Sequence, residues 1–268
     1  MSFFKPCCFA LLCAAMLTHA CSTTPQPAVE SPVASATACD GAVFQEKCVH
    51  KGDIVTFGNY PQAAETPEPI EWIVLDVDTT NKRMLLLSKY VLDAKPYHTE
   101  YAPTTWENST LRSWLNDTFK TTAFTSSEQQ QIALTPIENP NNPHLDSTNG
   151  GIATNDYFFL LSVADAANQT ERVAGSGKYF SSDEERQADA TRYAVQNGVG
   201  VVGSESHEYS DDGTCTDIHC FAVWWIRWPD DMVVGAAVVD GGGSIRRAGL
   251  LLVINMNLGV RPALWVKY

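Results

Sequence analysis

Beyond residue 50 the apolar positions alternate at strand spacing in some stretches and recur at helical spacing in others. Asp53-Ile54-Val55-Thr56-Phe57 and Pro69-Ile70-Glu71-Trp72-Ile73-Val74-Leu75 are rich in β-branched and aromatic residues and read as strands. The second turns at Asp78 to Lys82 into Arg83-Met84-Leu85-Leu86-Leu87, which makes a hairpin. The period then changes. Asn108 or Ser109 can cap a helix in which Leu111, Trp114 and Leu115 share a face, and Ser126 with Gln129 forms a capping-box pattern before Ile132. Tyr157-Phe158-Phe159-Leu160-Leu161 predicts a further buried strand. Ser182 with Glu185 opens a helical stretch through Tyr193 and Ala194 that stops near Asn197-Gly198. Strands and helices are interspersed without a βα rhythm and without a repeat, so the pattern predicts one α+β domain instead of a doubly wound sheet.

The first residues follow a different plan. Lys5 is the single charge before Cys21, the run from Cys7 to Leu17 is apolar, and small residues lead to Ala20-Cys21. This is the three-part layout of a bacterial export signal, and the run is too short for a span that needs about 20 apolar residues. Leu17-Thr18-His19-Ala20-Cys21 resembles a lipobox, with Thr18 where Leu is usual, which implies a lipid on Cys21 and a membrane contact through it. Ser22 to Ala38 is nearly all Ser, Thr, Pro, Ala and Val and reads as a flexible tether. The expected organisation is a signal at 1–20, a lipid-anchored tether at 21–38 and a domain at 39–268, in an exported outer-membrane lipoprotein displayed at the surface.

Charge narrows the partners. The chain carries 18 Lys+Arg against 31 Asp+Glu. Loss of Lys5 with the signal would leave 17 against 31. A polyanion such as nucleic acid would be repelled instead of releasing counterions, so nucleic-acid binding is not expected. Of the 8 cysteines, Cys7, Cys8 and Cys13 leave with the signal and Cys21 would take the lipid. Cys39, Cys48, Cys215 and Cys220 remain, an even set in an exported chain that reads as two disulfides. Local pairing of Cys39 with Cys48 and Cys215 with Cys220 is the simplest arrangement, and two other connectivities stay open. The spacing of Cys215 and Cys220, with His219 between them, fits zinc poorly, and no metal or cofactor is expected.

Gly-x-Ser-x-Gly, His-Glu-x-x-His and P-loop motifs are all missing from the sequence. Asp240-Gly241-Gly242-Gly243-Ser244 lacks the lysine of a phosphate loop and reads as a turn. The end of the chain is more distinctive. Trp224-Trp225-Ile226-Arg227 and, some thirty residues later, Gly259-Val260-Arg261-Pro262-Ala263-Leu264-Trp265 combine large rings with arginine forks that can anchor carbonyls or carboxylates.

These two blocks, together with Gly52 to Gln62, Ile70 to Leu75 and Ser109 to Asn116, resemble bacterial domains with the C-type-lectin fold in its formylglycine-generating-enzyme variant. Within that group the chain is most similar to variable surface lipoproteins diversified by retroelements. The resemblance spans about residues 48–268. It implies a non-enzymatic protein that recognises varied protein or cell-surface ligands through a C-terminal segment at about 224–264. The frame would be Trp224, Trp225, Arg227, Gly259, Arg261 and Pro262. The ligand-facing positions would be Trp228, Asp230, Asp231, Met232, Val233, Val234, Val238, Asp240, Arg246, Arg247, Leu250, Leu252, Ile254, Asn255, Met256 and Asn257. Residues 228–258 contain no Lys, Glu or Gln. Template-adenine changes at the first two bases of an AAC codon cannot produce those three. The run Leu250 to Ile254 can be read either as a core strand or, if exposed, as an apolar patch of the protein-binding kind. The same resemblance admits an oxidase using Cys215 and Cys220, and the lipid and tether also suit a structural envelope lipoprotein.

Overall fold

The computed structural model describes residues 39–141, 149–166, 178–202, 220–229, 234–246 and 251–268. Contacts divide the chain into Met1–Ala38, which lies outside the described residues, and Cys39–Tyr268. The second unit is a mixed α+β domain built mostly of strands.

A short hairpin opens it, β1 (Ala42–Phe44) with β2 (Lys47–Val49), fastened by a Cys39–Cys48 disulfide. Next come β3 (Ile54–Pro61), β4 (Pro67–Asp78), β5 (Arg83–Ser88) and β6 (Asp93–Ala94). Helices α1 (Thr110–Trp114), α2 (Lys120–Ala123) and α3 (Ser126–Gln131) follow, then a small β7 (Thr135–Ile137) and β8 (Thr154–Asp156) pair. After α4 (Val163–Ala166) and α5 (Arg192–Gln196) the chain forms β9 (Val201–Val202), β10 (Phe221–Ala222), β11 (Trp224–Pro229), β12 (Ala236–Val239) and β13 (Ile245–Arg246). It ends with β14 (Gly259–Val260) and β15 (Ala263–Lys267).

Two sheets carry the architecture. One is antiparallel in the order β15-β5-β4-β3, and the other runs β13-β12-β11-β14-β6 with a parallel β11–β14 step. The expected hairpin is β4–β5, with Asp78 paired to Arg83. Met84 to Leu87 are all buried, so this sheet is covered on both faces. β3 bulges between Thr56 and Asn59, where Gly58 has φ +72°. A Cβ there would meet the Phe124 ring at 2.4 Å, so the close approach requires glycine.

The sheets meet where the chain passes twice from one to the other, β5 to β6 and β14 to β15. Arg261 is buried at this crossing. Its Nε–H donates to the Ser88 carbonyl at 2.9 Å and one Nη to the Arg186 carbonyl at 3.1 Å. The Ser88 N–H donates to the Pro262 carbonyl, and the Leu92 N–H to that of Val260. Inside, Trp72 donates its indole N–H to the Phe57 carbonyl at 2.7 Å, and Phe119, Phe124 and Phe158 pack at 5.1–5.9 Å between centroids.

Ser109 caps α1, accepting from the Arg112 N–H. Leu111, Leu115, Phe119 and Ala123 are buried at a strict spacing of four. That spacing outruns the 3.6-residue period, and one wide π turn at Leu115–Phe119 absorbs the excess so the stripe keeps facing the core. Thr125, one residue before the expected Ser126, is the cap of α3, and Glu128 completes its box. Tyr157 to Leu161 is not a strand. The Asn116 carbonyl oxygen accepts the N–H groups of Tyr157 and Phe158 and its amide donates to the Phe158 carbonyl, which removes that backbone from a ladder. The expected helix from Ser182 is also broken. It forms a 3-10 turn at Glu184–Arg186, then extended backbone in which Ala190 bridges Val91, then α5.

Candidate functional site

Strand β11 supplies a rigid floor. Trp224 pairs with Val239 and, in parallel, with Gly259, and the Arg261 guanidinium lies 4.9 Å from its ring centroid. Desolvation pulls the pKa of Arg261 down, opposed by Asp189. Trp225 donates to the Lys95 carbonyl at 2.9 Å and packs edge-on to Tyr97 at 5.6 Å. Gly259 sits where a Cβ would strike Val91 at 2.4 Å, so this position in the frame is sterically confined to glycine. Arg227 donates to the Leu160 and Glu138 carbonyls.

Between the two blocks the chain forms a turn and a folded strap. The Asp240 carboxylate accepts the N–H groups of Gly242 and Ser244 and receives Arg246 Nε at 2.7 Å, making the expected glycine turn. Residues 251–257 are tied down by main-chain bonds. Ala236 N–H donates to Leu251 O, Val253 N–H to Val234 O, His98 N–H to Val253 O, Asn255 N–H to Leu252 O and Gly200 N–H to Asn257 O. Val253 alone of this strap points fully inward. Leu251 and Leu252 are half-buried, Ile254 is 36% exposed and Met256 68% exposed, and Asn257 is exposed with its amide on the Gly198 carbonyl. The Leu250 to Ile254 run is therefore, in its described part, neither a core strand nor a continuous apolar patch. A single anchor divides it.

Two expected ligand-facing positions are corrected by burial. Trp228 is 3% exposed and its indole N–H is spent on the Pro140 carbonyl at 3.0 Å, while Val238 is 0% exposed inside β12. Neither side chain can meet a ligand. Val234, Asp240 and Asn255 are half-buried, and Arg246 is exposed. Asp230, Asp231, Met232, Val233, Arg247 and Leu250 lie outside the described residues, as do Cys21 and Cys215. Cys220 is disulfide-bonded. Sequence reasoning missed that the His98 N–H would hold the Val253 carbonyl. No motif could have joined residues so distant in the chain.

Residues 81–268 match the family described as a domain of unknown function (DUF6273). The chain belongs to that family. No curated protein and no solved structure matches it. The match to DUF6273 takes in both the β11 to β15 frame and the strap it encloses, while β1 to β4 precede it.

Among the described residues, the exposed groups of this region are one aliphatic side chain, a thioether, an amide and the Arg246 guanidinium, which Asp240 partly neutralises. Elsewhere Asp40, Cys48 and His50 place ligand-type atoms within 4.8 Å of one another. The Cys48 sulfur is bonded to Cys39, so it offers no thiolate, and His50 pairs with Asp40 at 2.8 Å.

Proposed function

We propose that this DUF6273 domain is a surface-displayed, lipid-anchored protein of C-type-lectin type, in its formylglycine-generating-enzyme variant, that recognises protein ligands through its C-terminal strap. The observation that carries the reading is the division of labour at 251–257. Main-chain bonds and the buried Val253 fix the path of the backbone, while Ile254 and Met256 project without being needed to hold it. Such a segment can change its displayed side chains without refolding, which diversification demands. Exposed thioether and aliphatic groups are adaptable contacts for protein surfaces. Cys21 and the tether at 21–38 would hold the domain away from the membrane.

The test is comparative. Sister copies from the same genome, and any near-identical template repeat beside a reverse transcriptase, are aligned to this chain. Substitutions should concentrate at exposed strap positions such as 254 and 256 and spare Trp225, Val253, Gly259 and Arg261. Substitutions spread evenly over buried and exposed positions, with no template repeat, would overturn the diversification reading.

A further inference from the structure

Away from the strap, a cavity of about 220 Å³ opens where the outer faces of β5 and β15 meet the loop before α4. At about 30 Å³ per water it has room for about seven waters, the size of a small organic acid. Its apolar walls are Phe159, Tyr179 and Trp265. Its charged groups, among the described residues, are Arg83, Asp165, Lys178 and Arg227. Among the described residues three cations and one carboxylate line the cavity, with Asp78 on Arg83 and Asp76 near Lys178 offsetting part of the positive charge.

Arg227 is the informative member. Its side chain is 9% exposed, its Nη groups serve the Leu160 and Glu138 carbonyls, and its Nε–H is buried with no partner among the described residues. An unpaired buried donor on a charged group costs on the order of 1–3 kcal/mol unless something accepts from it. Asp165 is a weak candidate, because it lies 3.5 Å from Nη1 and its Oδ2 already accepts the Ser162 N–H and O–H that cap α4. Lys178 stands at the rim over Tyr179, 4.8 Å from its centroid, and Arg83 lies 4.4 Å from the Trp265 centroid while Asp78 holds its Nε. Hydrogen bonding to Tyr179 keeps the Lys178 ammonium charged above its ordinary pKa, with Asp165 and Asp76 adding to it.

We propose that this cavity binds a small aromatic carboxylate, with the ring against Trp265 and Tyr179 and the carboxylate answered by Arg227 and Lys178. A phosphate is the poorer fit, since the rest of the described wall, with Leu85, Pro136, Ile137 and Leu161 beside the rings, is largely apolar. The site is independent of the strap.

Phenylacetate and its neutral isostere phenylacetamide serve as probes, titrated into residues 39–268 by calorimetry and followed by the Trp265 indole resonance, assigned with Trp265→Phe. Phenylacetate should saturate in the millimolar range expected for so few atoms, shift Trp265, and bind at least about tenfold more tightly than the amide. Lys178→Met, at the exposed rim, should weaken it at least about fivefold at unchanged Tm, while Met256→Ser leaves it unchanged. Arg227→Met tests the buried donor wherever its thermal transition shows it folded, and should abolish binding. Absence of saturation by about 20 mM, equal affinity for the amide, or a Lys178→Met variant that binds as the parent does would each overturn the assignment.

Discussion

If the frame holds the strap and the strap's displayed side chains hold nothing, truncations at Trp225 and Met256 should differ sharply. Trp225 is fully buried, packed on Tyr97 and bonded to the Lys95 carbonyl. Trp225→Ala removes a large buried ring at about 3–5 kcal/mol and strands a carbonyl for about 1 kcal/mol more. In a domain of this size each kcal/mol moves Tm by about 2–4 °C, so the loss should be on the order of 10 °C. Met256 is 68% exposed, so Met256→Ser forfeits at most a third of the about 1.5–3 kcal/mol that complete burial brings. That is below about 1 kcal/mol, or less than about 4 °C. Calorimetry of residues 39–268 reads both, and the amide signals of Val253, His98 and Gly200 report whether the strap keeps its bonds. A Met256→Ser variant that loses those signals, or falls as far as Trp225→Ala, would refute the claim that main-chain bonds carry the strap.

Other expectations follow from local geometry. Gly58→Ala forces a Cβ against Phe124 at φ +72° and should cost about 2–4 kcal/mol by urea denaturation; a neutral outcome would mean the bulge can relax. Replacing Cys39 and Cys48 together with Ala opens a loop of sequence separation 9, for roughly 2–3 kcal/mol in the same assay, and no change would show the hairpin frays independently. The His50 pKa is raised by the hydrogen bond to Asp40, against burial, with Asp40 and Asp53 adding charge. Its stabilising contribution is complete below the unfolded value near 6.5 and is lost as pH rises through the folded value. An NMR titration should place it above 6.5 and Asp40→Asn should lower it; an unshifted midpoint would contradict the pairing. Residues 39–268 should titrate with no free thiol before reduction, since Cys220 is disulfide-bonded; a reactive thiol would favour an oxidase.

Much of the fold was legible because it is written locally. The β4–β5 hairpin, the Ser109 cap and the Asp240 turn each depend on a few adjacent residues, and each stands where the pattern put it. Misreadings arose where a distant group overrides a local preference. Phe158 to Leu161 are as buried as a strand would be, yet Asn116 takes the backbone bonds of Tyr157 and Phe158, and the ladder shrinks to a single bridge between Phe159 and Ala263. The helix from Ser182 is interrupted because Arg186 is drawn inward to the Ala166 and Gly243 carbonyls. At the site the frame blocks were conspicuous in sequence, but which enclosed side chains face solvent was not. Trp228 lies in a segment that could have been displayed. Its burial depends on Pro140, 88 residues away.

The choice of arginine at the crossing bears on how such a frame would serve the changing face proposed above. Arg261 spends its donors on the carbonyls of Ser88, Lys89 and Arg186, not on a carboxylate. Arg186 does much the same for Ala166 and Gly243, with Asp183 as a carboxylate partner. A guanidinium's fixed fork can span several backbone segments at once, which a lysine's single ammonium cannot. Main-chain acceptors are present whatever side chains stand nearby, so bonds of this kind survive substitution around them. The strap uses the same currency, backbone to backbone, through His98, Val234 and Gly200. Frame and strap are thereby fixed by groups that mutation of the exposed residues does not alter, so under the proposed reading the side chains at 254 and 256 could change while the backbone keeps its path.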